Sequence, residues 1–234
     1  LPAPGTAVAL DGQRLAVAFG RRPAGHVRFL SLGPAPEPDL RADLALPGTP
    51  VDVALAGDTA CVLEQSALRV LDAADVSAPR VVGSVSSLSW QATPVASRMA
   101  LVGDIAYIAV GSATDMRGDD VANQGGVEIV DIGVPARPEV VGHFLQDGGA
   151  YNNGIVDVAA TSGRVLAVEP AAGRLLLDTA MPDEPREVGR LATGGAAWDV
   201  SVSGSVAHIA TGWGLRQVDV ADPTAPRLGA FERS

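Results

Sequence analysis

Five stretches of the chain alternate apolar and polar positions, stop at a small polar residue and resume after a proline; they span 27–40, 68–82, 127–141, 174–188 and 215–228. Strict alternation over a few residues, broken by turn formers, predicts half-buried β-strands. In every stretch the strand-ending residue lies seven positions before the proline: Ser31 and Pro38, Asp72 and Pro79, Asp131 and Pro138, Asp178 and Pro185, Asp219 and Pro226. An Asp here can accept hydrogen bonds from the backbone of its own turn, and a proline at a strand start gives up an N–H where it is least needed. The spacing therefore predicts a strand-to-strand connection, and it carries no catalytic chemistry of its own.

A second hairpin precedes each of these pairs. It is plainest where 51–57 is followed by 59–63, and where 198–204 is followed by 206–210. Gly-Asp and Gly-Ser at the tips suit tight turns that need positive φ. Each unit thus holds four short antiparallel strands, a to d, and the last two unit landmarks, Asp178 and Asp219, are 41 positions apart. That period predicts a propeller blade rather than a helical repeat. The expected fold is an all-β, five-bladed propeller forming one domain over 1–234, with blades near 5–46, 50–86, 96–145, 155–192 and 197–233 and no helix longer than a turn or two. Small residues in the innermost strands, such as Val53-Ala54-Leu55-Ala56 and Val200-Ser201-Val202-Ser203, suit a narrow centre.

The segments Leu68-Arg69-Val70-Leu71-Asp72, Val127-Glu128-Ile129-Val130-Asp131 and Leu215-Arg216-Gln217-Val218-Asp219, with Ala78-Pro79-Arg80-Val81-Val82-Gly83 after the first, resemble the LVIVD-repeat proteins of bacteria and archaea. The resemblance runs over essentially the whole chain, departing at Ser31 in unit one and by one residue after Pro226 in unit five. It implies a propeller fold and a secreted or cell-surface location, and it brings no shared catalytic residues.

Composition narrows the partners. A formal net charge of -10 works against phosphate backbones and anionic lipid, so nucleic acid and membrane surfaces are not expected partners. No apolar run is long enough to span a bilayer, and a start at Leu1 fits a chain whose export signal has been removed. Cys61 is the one cysteine, set among Ala60, Val62 and Leu63, and is expected to be a buried, unreactive thiol. His26, His143 and His208 fall in different units without a common metal-ligand spacing, and are read as structural.

Candidate binding residues lie where the units differ. From the proline to the first residues of the next strand a, the distances Pro38–Asp52 and Pro185–Asp199 are 14, whereas Pro79–Arg98 and Pro138–Asp157 are 19. From there to the next proline the distances are 27, 40, 28 and 27, so unit three also gains thirteen residues between strands b and c. In an up-and-down meander the d-to-a and b-to-c connections leave by the same end, so these insertions are expected on one face, where long loops on a rigid scaffold usually bind. The first insertion carries Trp90 and Gln91, the second Asp115, Asp119, Asp120 and Asn123, the third Tyr151, Asn152 and Asn153. Polar residues are also what any solvated loop displays. No cofactor is expected; the one ion the sequence suggests is calcium, with Asp115, Asp119 and Asp120 as its ligands, though they lack the Asp-x-Asp-x-Asp-Gly order of known calcium loops.

Asp52, Asp157 and Asp199 begin strand a in three units and are expected at the mouth of a central channel, with Glu64 and Glu169 at the ends of strand b. Converging carboxylates can hold a cation or cleave glycosidic bonds. An Asp repeated at one blade position can equally cap the backbone N–H groups of a neighbouring blade, and that is the reading the repetition favours. No nucleophile elbow, phosphate loop or His-Glu-x-x-His is present. The sequence thus points to a non-catalytic binding or scaffolding module that engages a partner protein or a glycan, as part of a larger surface assembly, through the long connections of blades 2–4. The alternative is a glycoside hydrolase working through the channel-mouth carboxylates.

Overall fold

The computed structural model describes residues 5–21, 24–34, 37–64, 67–86, 95–111, 126–145, 155–169 and 173–233. Blade 1 comprises β1 (Gly5–Asp11), β2 (Arg14–Arg21), β3 (Ala24–Ser31) and β4 (Asp39–Leu46); blade 2 comprises β5 (Pro50–Ala56), β6 (Thr59–Glu64), β7 (Ala67–Asp72) and β8 (Arg80–Ser86). Blade 3 comprises β9 (Val95–Val102), β10 (Ile105–Gly111), β11 (Gly126–Asp131) and β12 (Glu139–Leu145). Blade 4 comprises β13 (Asp157–Thr161), β14 (Arg164–Glu169), β15 (Gly173–Asp178) and β16 (Arg186–Leu191). Blade 5 comprises β17 (Ala197–Ser203), β18 (Val206–Thr211), β19 (Gly214–Asp219) and β20 (Arg227–Arg233). Each blade is a four-stranded sheet in sequence order, so the chain is a five-bladed β-propeller, and no helix occurs among the described residues.

Local chemistry explains the repetition. The a-to-b turns bend at glycines in the left-handed region, as at Gly57 (φ 54) and Gly204 (φ 59), where a side chain would be strained. The strand-ending acids close the c-to-d connections: an Oδ1 accepts the backbone N–H two residues on, from Ala74 to Asp72, Gly133 to Asp131, Ala180 to Asp178 and Ala221 to Asp219. Ser31 takes another role and accepts from Arg41 instead. The residue after each strand c then donates its N–H to a carbonyl of the a-to-b turn of its own blade, as Ala73 does to Asp58 and Val220 to Ser205.

The chain divides into two compact units, one of Leu1–Trp90, Gly103–Ile105 and Asp131–Glu139, the other of Gln91–Val102, Ala106–Val130 and Val140–Ser234. In the first, Ala16, Ala18, Val27 and Phe29 of blade 1 pack with Val53, Ala60, Val62 and Leu71 of blade 2. In the second, Leu166 and Val168 of blade 4 pack with Val200, Ala207, Ile209 and Val218 of blade 5. Full burial of each such side chain contributes about 1.5–3 kcal/mol for the larger aliphatics. The central strands β6, β11 and β14 are buried at nearly every position, while the outer strands β8 and β16 are largely solvated. Sheets covered on both faces lose the apolar-polar alternation in their middle strands.

A second, backbone-level contact joins successive blades. A Cβ added at Gly83 would strike the carbonyl oxygen of Pro135, one at Gly142 that of Pro182, and one at Gly189 that of Pro223. Each glycine lies four residues after the proline that opens its strand d, and each carbonyl belongs to the c-to-d connection of the next blade. Blade 1 has Ala42 in place of the glycine and blade 2 has Val76 in place of the proline, and both side chains pack on the same apolar cluster.

Candidate functional site

Asp157 opens β13 and is 6% exposed. Its Oδ1 accepts the N–H of Val158 at 2.9 Å, and its Oδ2 accepts the N–H of Val200 at 2.7 Å. The second bond crosses to the innermost strand of blade 5, so this carboxylate fastens one blade to the next. Burial pushes its pKa up to about 6 against the pull of the Val200 N–H; the charge of Asp199 adds to the rise, and the Val158 N–H and Arg98 oppose it. Asp52 stands at the same place in blade 2 and its Oδ1 accepts the Val53 N–H at 2.9 Å. Asp199, at that place in blade 5, is exposed.

The acids ending strand b are likewise tied into the fold. Glu64, buried, accepts the Gly48 N–H at 3.1 Å and pairs with Arg69 at 3.0 Å. Glu169, also buried, faces Arg190 at 3.7 Å. His26 bonds Asp43 at 2.9 Å and stacks on Phe19, and His208 lies 3.4 Å from Gln217. Cys61 is fully buried, and desolvation pushes its thiol up to about 12. Trp90, Gln91, Asp115, Asp119, Asp120, Asn123, Tyr151, Asn152 and Asn153 lie outside the described residues.

Sequence reasoning passed over the b-to-c end of blade 5. Trp213, in the Gly212-Trp213-Gly214 turn between β18 and β19, is 68% exposed, and Trp198 in β17 is 57% exposed. The Trp213 indole lies over the d-to-a connection: a Cβ added at Gly195 would come within 2.5 Å of its Cδ1. Thr211 Oγ1 donates to the Gly214 carbonyl at 2.9 Å and accepts the Trp213 N–H at 3.3 Å, and Thr193 Oγ1 donates to the Gly195 carbonyl at 2.6 Å. These bonds hold the turn around an open cleft of about 570 Å³, into which Trp213, Arg216, Phe231 and Arg233 contribute. The signal was available in the sequence, because an aromatic at the tip of a four-strand unit lies outside the core that the strands bury.

The LVIVD repeat family matches residues 47–87 and 194–230, which span blade 2 and most of blade 5. Those two segments are LVIVD repeats. No curated protein matches the sequence. Among solved structures, the propeller is similar to a structural-genomics protein from Lactobacillus plantarum, at a TM-score of 0.74 and 12% identity over 100% of this chain and 73% of that one. It is also similar to a chain in the crystal structure of a nidogen/laminin complex, at a TM-score of 0.60 and 15% identity over 99% of this chain and 81% of that one. At such identities the likeness is one of fold. The matched blades are also the two whose strand c carries Leu-Arg, at Leu68-Arg69 and Leu215-Arg216.

Proposed function

We propose that this LVIVD-repeat propeller is a non-catalytic binding or scaffolding module, acting outside the cell or at its surface. It engages a partner protein or a glycan through the long connections that lead into and through blade 3 and into blade 4. The observation that carries the non-catalytic part is the state of Asp157. Glycosidic chemistry needs two opposed carboxyl groups with oxygens turned to substrate, whereas both oxygens of Asp157 accept backbone N–H groups at 2.7 and 2.9 Å. Its raised pKa follows from burial in a blade junction and supports no acid–base role. The binding part is supported by the insertions, which place aromatic and amide side chains in connections that the repeat does not need. That a chain of the same fold occurs in a nidogen/laminin complex supports a protein as the partner.

The test is to shorten 112–124 to the length of the other b-to-c connections and to replace Trp90 and Tyr151 with Ala. Melting temperature is then measured beside retention of proteins and glycans from native extract on the immobilised chain. The expected result is an unchanged melt with the specifically retained species lost. Unchanged retention by a folded variant would place binding elsewhere, and a collapsed melt would make the insertions part of the core.

A further inference from the structure

Arg28, Arg69 and Arg216 occupy one register position, three residues before the end of strand c in blades 1, 2 and 5. Their surroundings differ in one respect. Arg69 pairs with Glu64, which stands at the end of strand b, two residues beyond its cross-strand partner Val62. Arg28 pairs with Asp43 at 2.8 Å. In blade 5 the residue two beyond the cross-strand partner Ile209 is Thr211, whose hydroxyl is spent on the Gly214 carbonyl. Among the described residues Arg216 has no carboxylate within ion-pair distance; its Nε is buried without a hydrogen-bond partner, as is that of Arg69. Its guanidinium lies 4.2 Å over the ring of Phe231, as that of Arg28 lies 4.6 Å over Phe19. A stacked guanidinium keeps its in-plane donors free for a carboxylate.

The rest of the cleft selects the ligand. Arg216 and Arg233 line it and, among the described residues, no carboxylate does, in a chain of net charge -10. With the threonine hydrogens committed inside the fold, the donors facing a ligand include the guanidiniums of Arg216 and Arg233 and the indole N–H of Trp213, and the two charged groups call for an acceptor bearing negative charge. The Phe231 ring is covered by Arg216, so Trp213 supplies the one broad aromatic face beside those donors. One flat stacking surface next to one forked donor fits a ring that carries a carboxylate. The cleft is open rather than enclosed and its lining is as polar as it is apolar, which suits a hydroxylated ring better than an apolar aromatic acid.

We propose that this cleft of blade 5 binds a hexuronate residue of an acidic polysaccharide, its carboxylate on Arg216 and its ring on Trp213. The carboxylate takes the place relative to Arg216 that Glu64 takes relative to Arg69. The site is separate from the long connections around blade 3 and does not depend on them.

The experiment is titration calorimetry of the full chain with hexuronate oligosaccharides, their methyl esters, inorganic phosphate and benzoate. Variants are Arg216→Gln, Trp213→Ala and Thr211→Glu, the last rebuilding the Glu64–Arg69 arrangement within blade 5. The expected result is saturable binding of the oligouronate, at least tenfold weaker for the methyl ester and for each variant, with Thr211→Glu folded by circular dichroism. Should Thr211→Glu fail to fold, Arg216→Gln and the ester carry the same comparison. No binding by the parent chain, equal binding of the ester, or unchanged binding in Arg216→Gln would overturn the proposal. Phosphate or benzoate binding as tightly as the oligouronate would overturn the sugar assignment.

Discussion

Removing the charge from Asp157 tests how the blades of the second unit are fastened. Its carboxyl is ordinarily half-protonated near 3.8, and in the fold burial raises that to about 6. Between those values the folded chain binds a proton that the unfolded chain does not, so stability falls as pH rises through the window and levels off above it. The interval is worth on the order of 3 kcal/mol at 1.36 kcal/mol per pH unit. In Asp157→Asn that titration is gone. The Asn also offers one acceptor to two N–H groups, at a cost of about 1–3 kcal/mol that does not vary with pH. The quantity to measure is therefore the difference in unfolding free energy between variant and parent, from urea titrations followed by tryptophan fluorescence at pH 4, 5, 6 and 7. It should move in favour of the variant by roughly 2 kcal/mol from pH 4 to 7, most of it before pH 6.5. Asp72, lowered by its bond from Arg80, and Asp222, lowered by Thr224, lose their contributions only as pH falls below 3.8, outside the window. Parallel curves for variant and parent across the window would refute the reasoning.

Two further outcomes follow from the packing. Gly189→Ala should destabilise by about 1–3 kcal/mol, since its Cβ meets the Pro223 carbonyl, whereas Gly33→Ala, with nothing within 4 Å, should leave the thermal melt unchanged; equal melts would remove the seat from the account. Cys61 should react with a thiol reagent no faster than the chain unfolds, because its thiol is fully buried and pushed up to about 12; stoichiometric labelling within the mixing time would contradict this.

The repeat was legible because its turn chemistry is local. Asp72, Asp131, Asp178 and Asp219 bond their own turns, so the seven-residue spacing to the next proline is fixed within a single connection. Strand bounds such as Asp157–Thr161 and Arg186–Leu191 fall close to where alternation and turn residues put them. Asp157 could be placed at a strand start from spacing alone, but the bond to Val200 depends on which blade stands beside it. The role of Arg216 was hidden for a related reason: the residue is unremarkable in its own strand. It stands out only when its neighbour Thr211 is set against Glu64, the residue in the same register of blade 2.

The seating of a proline carbonyl on a glycine, at Gly83, Gly142 and Gly189, has an evolutionary consequence. Neither side of that contact carries a chemical label, for one is a main-chain oxygen and the other a residue with nothing beyond Cα. A unit that bears this glycine can therefore be followed by any unit that bears this proline without a compensating change. Blade order is then a property of covalent succession along the gene, and duplication or loss of a whole unit meets a ready-made neighbour. A slip of one residue within a unit presents a side chain where the carbonyl must rest. Such a lineage can lengthen or shorten by whole blades while its outer strands drift, with the glycine as the fixed point.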